Sequence, residues 1–135
     1  MVALLDSVAV AGFLDRDDAF HPAADALVRE LVGRERLIVS VITYAEVLTG
    51  AVLGHHDQAA VLGFFADLVD AIHDVDRRIA ERAADVRAAK PSLKLPDALI
   101  LATAERHGAD RVITDDHRWV GVLDGPQVEL LPGAA

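Results

Sequence analysis

The stretch V-A-L-L-D-S (residues 2–7) decides the fold. Four apolar residues in succession, Val2 to Leu5, stop abruptly at an acid and a hydroxyl. A run that short and that continuous reads as a strand buried on both faces, the kind found in parallel sheets. R-L-I-V-S (36–40) and R-V-I-T (111–114) repeat the pattern, and the second also runs into acid, Asp115-Asp116. Shorter apolar pieces at Ile72–Val75 and Gln127–Leu131 read as a third and a fifth strand, the latter at the sheet edge. The intervals are helical. A short helix follows Asp6 through Leu14, the charged stretch Asp15–Asp18 forms a turn, and His21-Pro22 opens a helix to about Val32. From Ile42 to Leu53 a helix carries Tyr44, Val47, Leu48 and Ala51 at helical spacing, with Gly54 as its stop. Further helices run from Asp57 to about Ala71, from Asp76 to Ala89, and from Pro96 to about His107, where Gly108 stops the chain. Strands alternating with helices imply parallel βαβ units, hence a three-layer α/β/α sandwich with a mostly parallel central sheet, formed by residues 1–135 as one domain. In such sheets ligands bind beyond the carboxyl ends of the strands, where the strand order reverses.

Composition agrees. The 135 residues are 53% hydrophobic and 26% charged, which excludes a disordered acidic tail despite a net charge of −9. Aromatic residues make up only 4%, so Ala, Val, Leu and Ile must fill the core, as suits helices packed over a parallel sheet. No uncharged apolar stretch is long enough for a membrane span, and Met1–Leu14 lacks the basic region of a signal peptide. Without cysteine there is no disulfide framework, thiolate zinc site or thiol nucleophile. The expected class is a cytoplasmic protein with no membrane contact. With 22 Asp and Glu against 13 Lys and Arg, the chain as a whole repels phosphate at long range. Any action on nucleic acid therefore needs cations or a second subunit to offset that field.

Where charge is missing is more informative than where it is found. Residues 1–14 contain one charged side chain, Asp6; residues 37–54 contain one, Glu46; residues 95–104 contain one, Asp97. An isolated carboxylate in apolar surroundings loses its hydration unless a metal or hydrogen-bond donors compensate. Each acid has a plainer alternative. Asp6 can bond the amides of the turn it enters, Asp97 can favour the dipole of its helix, and Asp115 or Asp116 can cap a short helix towards Trp119. Glu46 is harder to explain away. Its own helix face holds Ile42, Thr49, Gly50 and Leu53, so it has no basic partner one turn away. Oxygen-only ligands from distant parts of a chain select hard divalent cations, Mg²⁺ or Mn²⁺, which can activate water and neutralise charge developing on a phosphate.

Four segments carry a family likeness: L-L-D-S (4–7), S-V-I-T-Y-A-E-V-L-T-G (40–50), L-P-D-A-L-I-L-A-T-A (95–104) and V-I-T-D-D (112–116). In order and spacing they resemble the PIN-domain ribonucleases, of the small type that acts as toxin in VapBC toxin–antitoxin pairs. The resemblance implies an α/β/α sandwich with three or four acids around Mg²⁺, cleaving RNA to leave 5′-phosphate and 3′-hydroxyl ends. Matched onto this chain, the acids are Asp6, Glu46, Asp97 and the acid of a T-x-D pattern, Asp116. Asp6, Asp97 and Asp116 are then the metal ligands, and Glu46 binds the metal or positions the attacking water. Ser7 and Thr114 match small hydroxyl positions that orient the acids or waters. Val8 departs from the family's usual polar residue, Trp119 stands for its Phe, and Asp115 duplicates the acid beside Asp116 and is a further candidate ligand.

Other chemistries lack their residues. There is no G-x-G-x-x-G or Walker loop, no G-x-S-x-G elbow around Ser7 or Ser40, and no H-E-x-x-H to make a zinc pair of His55-His56, which read as surface. A phospho-acceptor receiver would want a lysine after the last strands, and residues 112–135 contain none. Arg77-Arg78, set among acids, reads as a solvated helix face. The rivals to a toxin are a PIN-type nuclease of RNA or DNA processing and a non-catalytic metal-binding interaction module. The expected partners are an RNA substrate, an antitoxin whose arginine reaches the acid pocket, and a second copy of the chain. A homodimer is expected because the 42–53 helix carries apolar residues on more than one face.

Overall fold

The computed structural model describes residues 1–133. The three apolar runs become the three inner strands. They are β1 (Val2–Leu5), β2 (Arg36–Ser40) and β4 (Arg111–Thr114), flanked by β3 (Ala71–His73) and β5 (Gln127–Leu130). All neighbours pair in parallel, in the order β3-β2-β1-β4-β5. β1 is therefore central, and the chain winds outward from it in one direction through β2 and β3 before returning to β4 and β5.

Each inner strand sends alternate residues into two separate cores, the consequence of a two-residue repeat with helices on both faces. Ala3, Leu5, Leu37, Val39 and Ile113 point into one core, with buried residues of α1 (Ser7–Leu14), α2 (His21–Leu31), α3 (Val41–Val52) and α4 (Gln58–Asp67). Leu4, Ile38 and Val112 point into the other, with buried residues of α5 (Arg77–Ala89) and α6 (Leu95–Arg106), plus Trp119 and Leu123. This is the α/β/α sandwich that the strand–helix alternation implies. Small residues make the layers close: a Cβ on Gly12 would stand 3.2 Å from the Cβ of Ala24, so α1 and α2 meet without a side chain between them.

Most boundaries fall where the sequence puts them. α6 ends before Gly108, whose φ of 66° suits a residue without a Cβ, and Asp76 caps α5 by accepting from the Ile79 N–H at 2.9 Å. The clear shift is at α4, which ends at Asp67 rather than Ala71, and β3 accordingly starts at Ala71 and ends at His73. Asp70 causes it. Its carboxylate accepts from the Leu37 N–H at 2.7 Å and its own N–H donates to the Leu37 carbonyl at 2.8 Å, which breaks the helix and starts the pairing with β2. Among the described residues, no helix is long and apolar enough to cross a membrane.

Candidate active site

β1 and β4 are neighbours whose following segments leave to different parts of the fold, so their carboxyl ends flank the switch point of the sheet. Asp6 stands there. It follows β1, its N–H donates to the Ile113 carbonyl at 2.9 Å, and only 9% of its surface is exposed. Two donors reach its carboxylate: the Ser7 N–H to Oδ1 and the Thr114 hydroxyl to Oδ2, each at 2.7 Å. These favour the anion, yet burial outweighs them and, with the nearby charges of Asp97 and Glu46, pushes the carboxyl up to about 7. The turn-amide explanation for Asp6 thus accounts for part of its environment and leaves the charge undercompensated.

The other acids arrive from separate elements. Glu46, exposed on α3, accepts from the Ser7 hydroxyl at 2.7 Å, a contact that spans 39 positions of sequence and ties α3 to the start of α1. Asp97 sits half-buried in the first turn of α6, behind Pro96. Its carboxyl is raised by burial, then by Asp116, with Glu46 adding to the effect and Arg118 and Lys94 opposing it. Asp116 follows β4, where its N–H donates to the Thr114 hydroxyl at 3.2 Å, so one threonine serves both Asp6 and Asp116.

Asp116 also caps the short 3₁₀ turn His117–Trp119, accepting from the Arg118 N–H at 2.9 Å, as the plainer reading of the Asp115-Asp116 pair allows. Arg118 then folds back, and its Nη2 lies 2.6 Å from Oδ2. That bond holds the Asp116 carboxyl below the usual carboxylate range. Arg118 has no place in the expected site; an arginine two residues after the acid of a T-x-D pattern is the signal that marks it. Asp115 is partly buried beside Asp116. His55 is exposed as expected, whereas His56 is half-buried, its ring packed so close that a Cβ on Gly50 would lie 2.8 Å from Cδ2. Arg77 and Arg78 are exposed, as a solvated face requires.

The donor set fits a hard divalent cation in kind: carboxylate oxygens only, with mutual repulsion among Asp6, Glu46, Asp97 and Asp116 that one small guanidinium does not cancel. Among the described residues, no three acids or histidines are drawn together into a closed cation-holding geometry.

Residues 3–122 match the family model described as PIN domain. No curated protein sequence matches the chain. Among solved structures, the chain is similar to a toxin–antitoxin complex from Klebsiella pneumoniae, at 29% identity and a TM-score of 0.71, covering 92% of this chain and 94% of that one. It shares its fold with VapBC2 from Rickettsia felis bound to a DNA fragment from their promoter, at 14% identity and a TM-score of 0.76, covering 98% and 100%. The same holds for the sarcin–ricin-loop-cleaving toxin VapC20 of Mycobacterium tuberculosis, at 20% identity and a TM-score of 0.65, covering 82% and 86%.

Proposed function

The chain belongs to the PIN-domain family, and on that premise we propose that it is a Mg²⁺-dependent endoribonuclease, with Mn²⁺ able to serve, acting as the toxin of a type II toxin–antitoxin pair. One observation carries the reading: Asp6, Glu46, Asp97 and Asp116 stand within electrostatic reach at the switch point, and the buried carboxyl of Asp6 is pushed up to about 7. Buried carboxyls raised by burial and by neighbouring acids are the arrangement that functional sites favour. Asp6, Asp97 and Asp116 would hold the cation, and when bound it supplies a Lewis acid for the phosphate and a more acidic water. Glu46, exposed and hydrogen-bonded to the Ser7 hydroxyl, would orient the attacking water or add a ligand. Thr114 fixes the orientation of Asp6 and holds the backbone of Asp116. With water as the nucleophile, charge neutralisation and geometry would do the work.

The toxin role rests on the fold shared with the toxin structures above. It implies an antitoxin as partner, and an arginine on that partner suits a pocket of carboxylates, since the guanidinium fork pairs with both oxygens. A homodimer fits the surface of α3 and α4. Tyr44 on α3 meets Phe65 on α4 edge-on at 4.8 Å, yet Val52 and Leu53 remain 84% and 64% exposed, with Leu62 also exposed nearby in sequence on α4. One domain over residues 1–135 and a cytoplasmic setting belong to the same reading. Expression of the wild-type chain in a bacterial host is expected to arrest growth, while Asp97→Asn does not. Coexpression of a small reading frame adjoining the gene restores growth if the toxin role is right. Unaffected growth on wild-type expression, with the protein folded and soluble, would remove that role.

A further inference from the structure

Among the described residues, one cationic side chain is hydrogen-bonded to any of the four acids, and it uses up one of them completely. Oδ1 of Asp116 accepts from Nε of Arg118 at 3.0 Å as well as from its N–H; Oδ2 accepts from Nη2 and, at 3.2 Å, from Nε. A cation held by Asp116 needs the same oxygen lone pairs. Guanidinium and cation are therefore alternative occupants of this carboxylate.

Apart from the N–H on Oδ1 of Asp116, the main chain of Arg118 is held by contacts that do not involve that carboxylate. Trp119, next in sequence, is buried in the α5–α6 core, and Nζ of Lys90 donates to the Arg118 carbonyl at 2.5 Å. A side chain displaced from Asp116 thus remains tethered at the mouth of the site. It is 48% exposed and already acts electrostatically on Asp97. The guanidinium fork matches two oxygens of a phosphodiester as well as those of a carboxylate. The need is evident too, because a chain of net charge −9 must bring an RNA strand against four carboxylates.

We propose that Arg118 is a substrate-binding residue stored on Asp116: when a divalent cation takes that carboxylate, the guanidinium is handed to the phosphodiester of the RNA. The inference rests on the nuclease reading above and adds to it the residue that receives the phosphate. Arg118 then has opposite effects on the two ligands, opposing the cation and favouring the RNA, which a merely structural arginine would not have.

Calorimetric titration of the full chain with Mn²⁺, comparing wild type, Arg118→Ala and Arg118→Lys, separates these effects, with circular dichroism as the control for folding. Arg118→Ala is expected to bind Mn²⁺ about tenfold more tightly than wild type, the scale of one charge-assisted fork. Arg118→Lys, which keeps the charge but loses the fork, is expected to fall between them. At saturating Mn²⁺, KM for a mixed-sequence single-stranded RNA oligonucleotide is expected to rise about tenfold in Arg118→Ala, with kcat changing much less. Equal Mn²⁺ affinity in all three proteins, an Arg118→Lys variant indistinguishable from wild type, or an unchanged KM would each overturn the handover while leaving the nuclease reading intact. A folded wild-type chain that takes up no Mn²⁺ would instead defeat the metal-site reading, and this inference with it.

Discussion

At the amino-terminal end of the sheet the acids described here are matched to donors, whereas at the carboxyl end the acids crowd one another despite their donors. Asp110 accepts from the Val2 N–H and Asp70 from the Leu37 N–H, both at 2.7 Å, while Arg111 pairs with Glu35 and, at 2.9 Å, with Glu129. These contacts start strands and fasten neighbours. At the other end Asp6 is lifted to about 7 by burial and Asp97 is raised for the same reason, with Asp116 quieted chiefly by Arg118. The same chain, with the same stock of amides and arginines, compensates acids at one end and leaves them undercompensated at the other. The difference separates acids that fasten the fold from acids left undercompensated, and the second group is the one to which the proposed function assigns a cation.

The comparison can be broken by exchanging the roles of the two ends. Asp97→Asn is expected to lower RNA cleavage by at least about 100-fold, the scale of losing a group that organises transition-state charge, with no loss of thermal stability. Asp110→Asn, at the other end, is expected to cost about 1 kcal/mol of stability and leave cleavage in place. Cleavage and thermal melts on the two variants side by side decide it.

The next effect is on stability against pH in the absence of divalent cations. The Asp6 carboxyl titrates near 7 when folded against 3.8 when unfolded, so between these values the folded chain holds a proton that the unfolded chain releases. Stability therefore falls as pH rises from about 4 to about 7, by a few kcal/mol at most, and Asp97, also raised, acts in the same direction. Asp6→Asn is expected to flatten this fall, and Mg²⁺ to oppose it. Melting temperatures across that pH range in EDTA would show it, and parallel curves for wild type and Asp6→Asn would mean Asp6 is not strained.

Smaller still, Arg111→Met is expected to lower stability by about 1–2 kcal/mol with unchanged cleavage, because it unpairs Glu35 and Glu129 far from the switch point. The finest distinction lies within the Asp115-Asp116 pair. Asp116→Asn is expected to impair cleavage severely and Asp115→Asn by less than about threefold, since adjacent residues leaving a strand face opposite ways. Equal losses would make Asp115 a ligand too.

What the sequence reveals follows the range of the forces involved. The apolar runs 2–5, 36–40 and 111–114 and the charge-poor windows around Asp6 and Asp97 report burial, which is written in composition over a few residues, whereas the window around Glu46 leaves that acid, Val52 and Leu53 exposed. The end of α4 was not legible, because the helix yields to a bond between Asp70 and Leu37, 33 positions away. Glu46 showed the absence of a local partner, but its donor, Ser7, comes from another helix. Arg118 is hard to read for the opposite reason. Its partner is only two residues away, but a charged pair in a loop has no periodicity to mark it.

The most direct test is cleavage of RNA by the wild-type chain with Mg²⁺ present and after its removal by EDTA. Cleavage in Mg²⁺, none in EDTA, and recovery when Mg²⁺ or Mn²⁺ is restored is the result expected if the carboxyl end is a cation site. Undiminished cleavage in EDTA, or a folded chain that cuts no RNA with either cation, would contradict it.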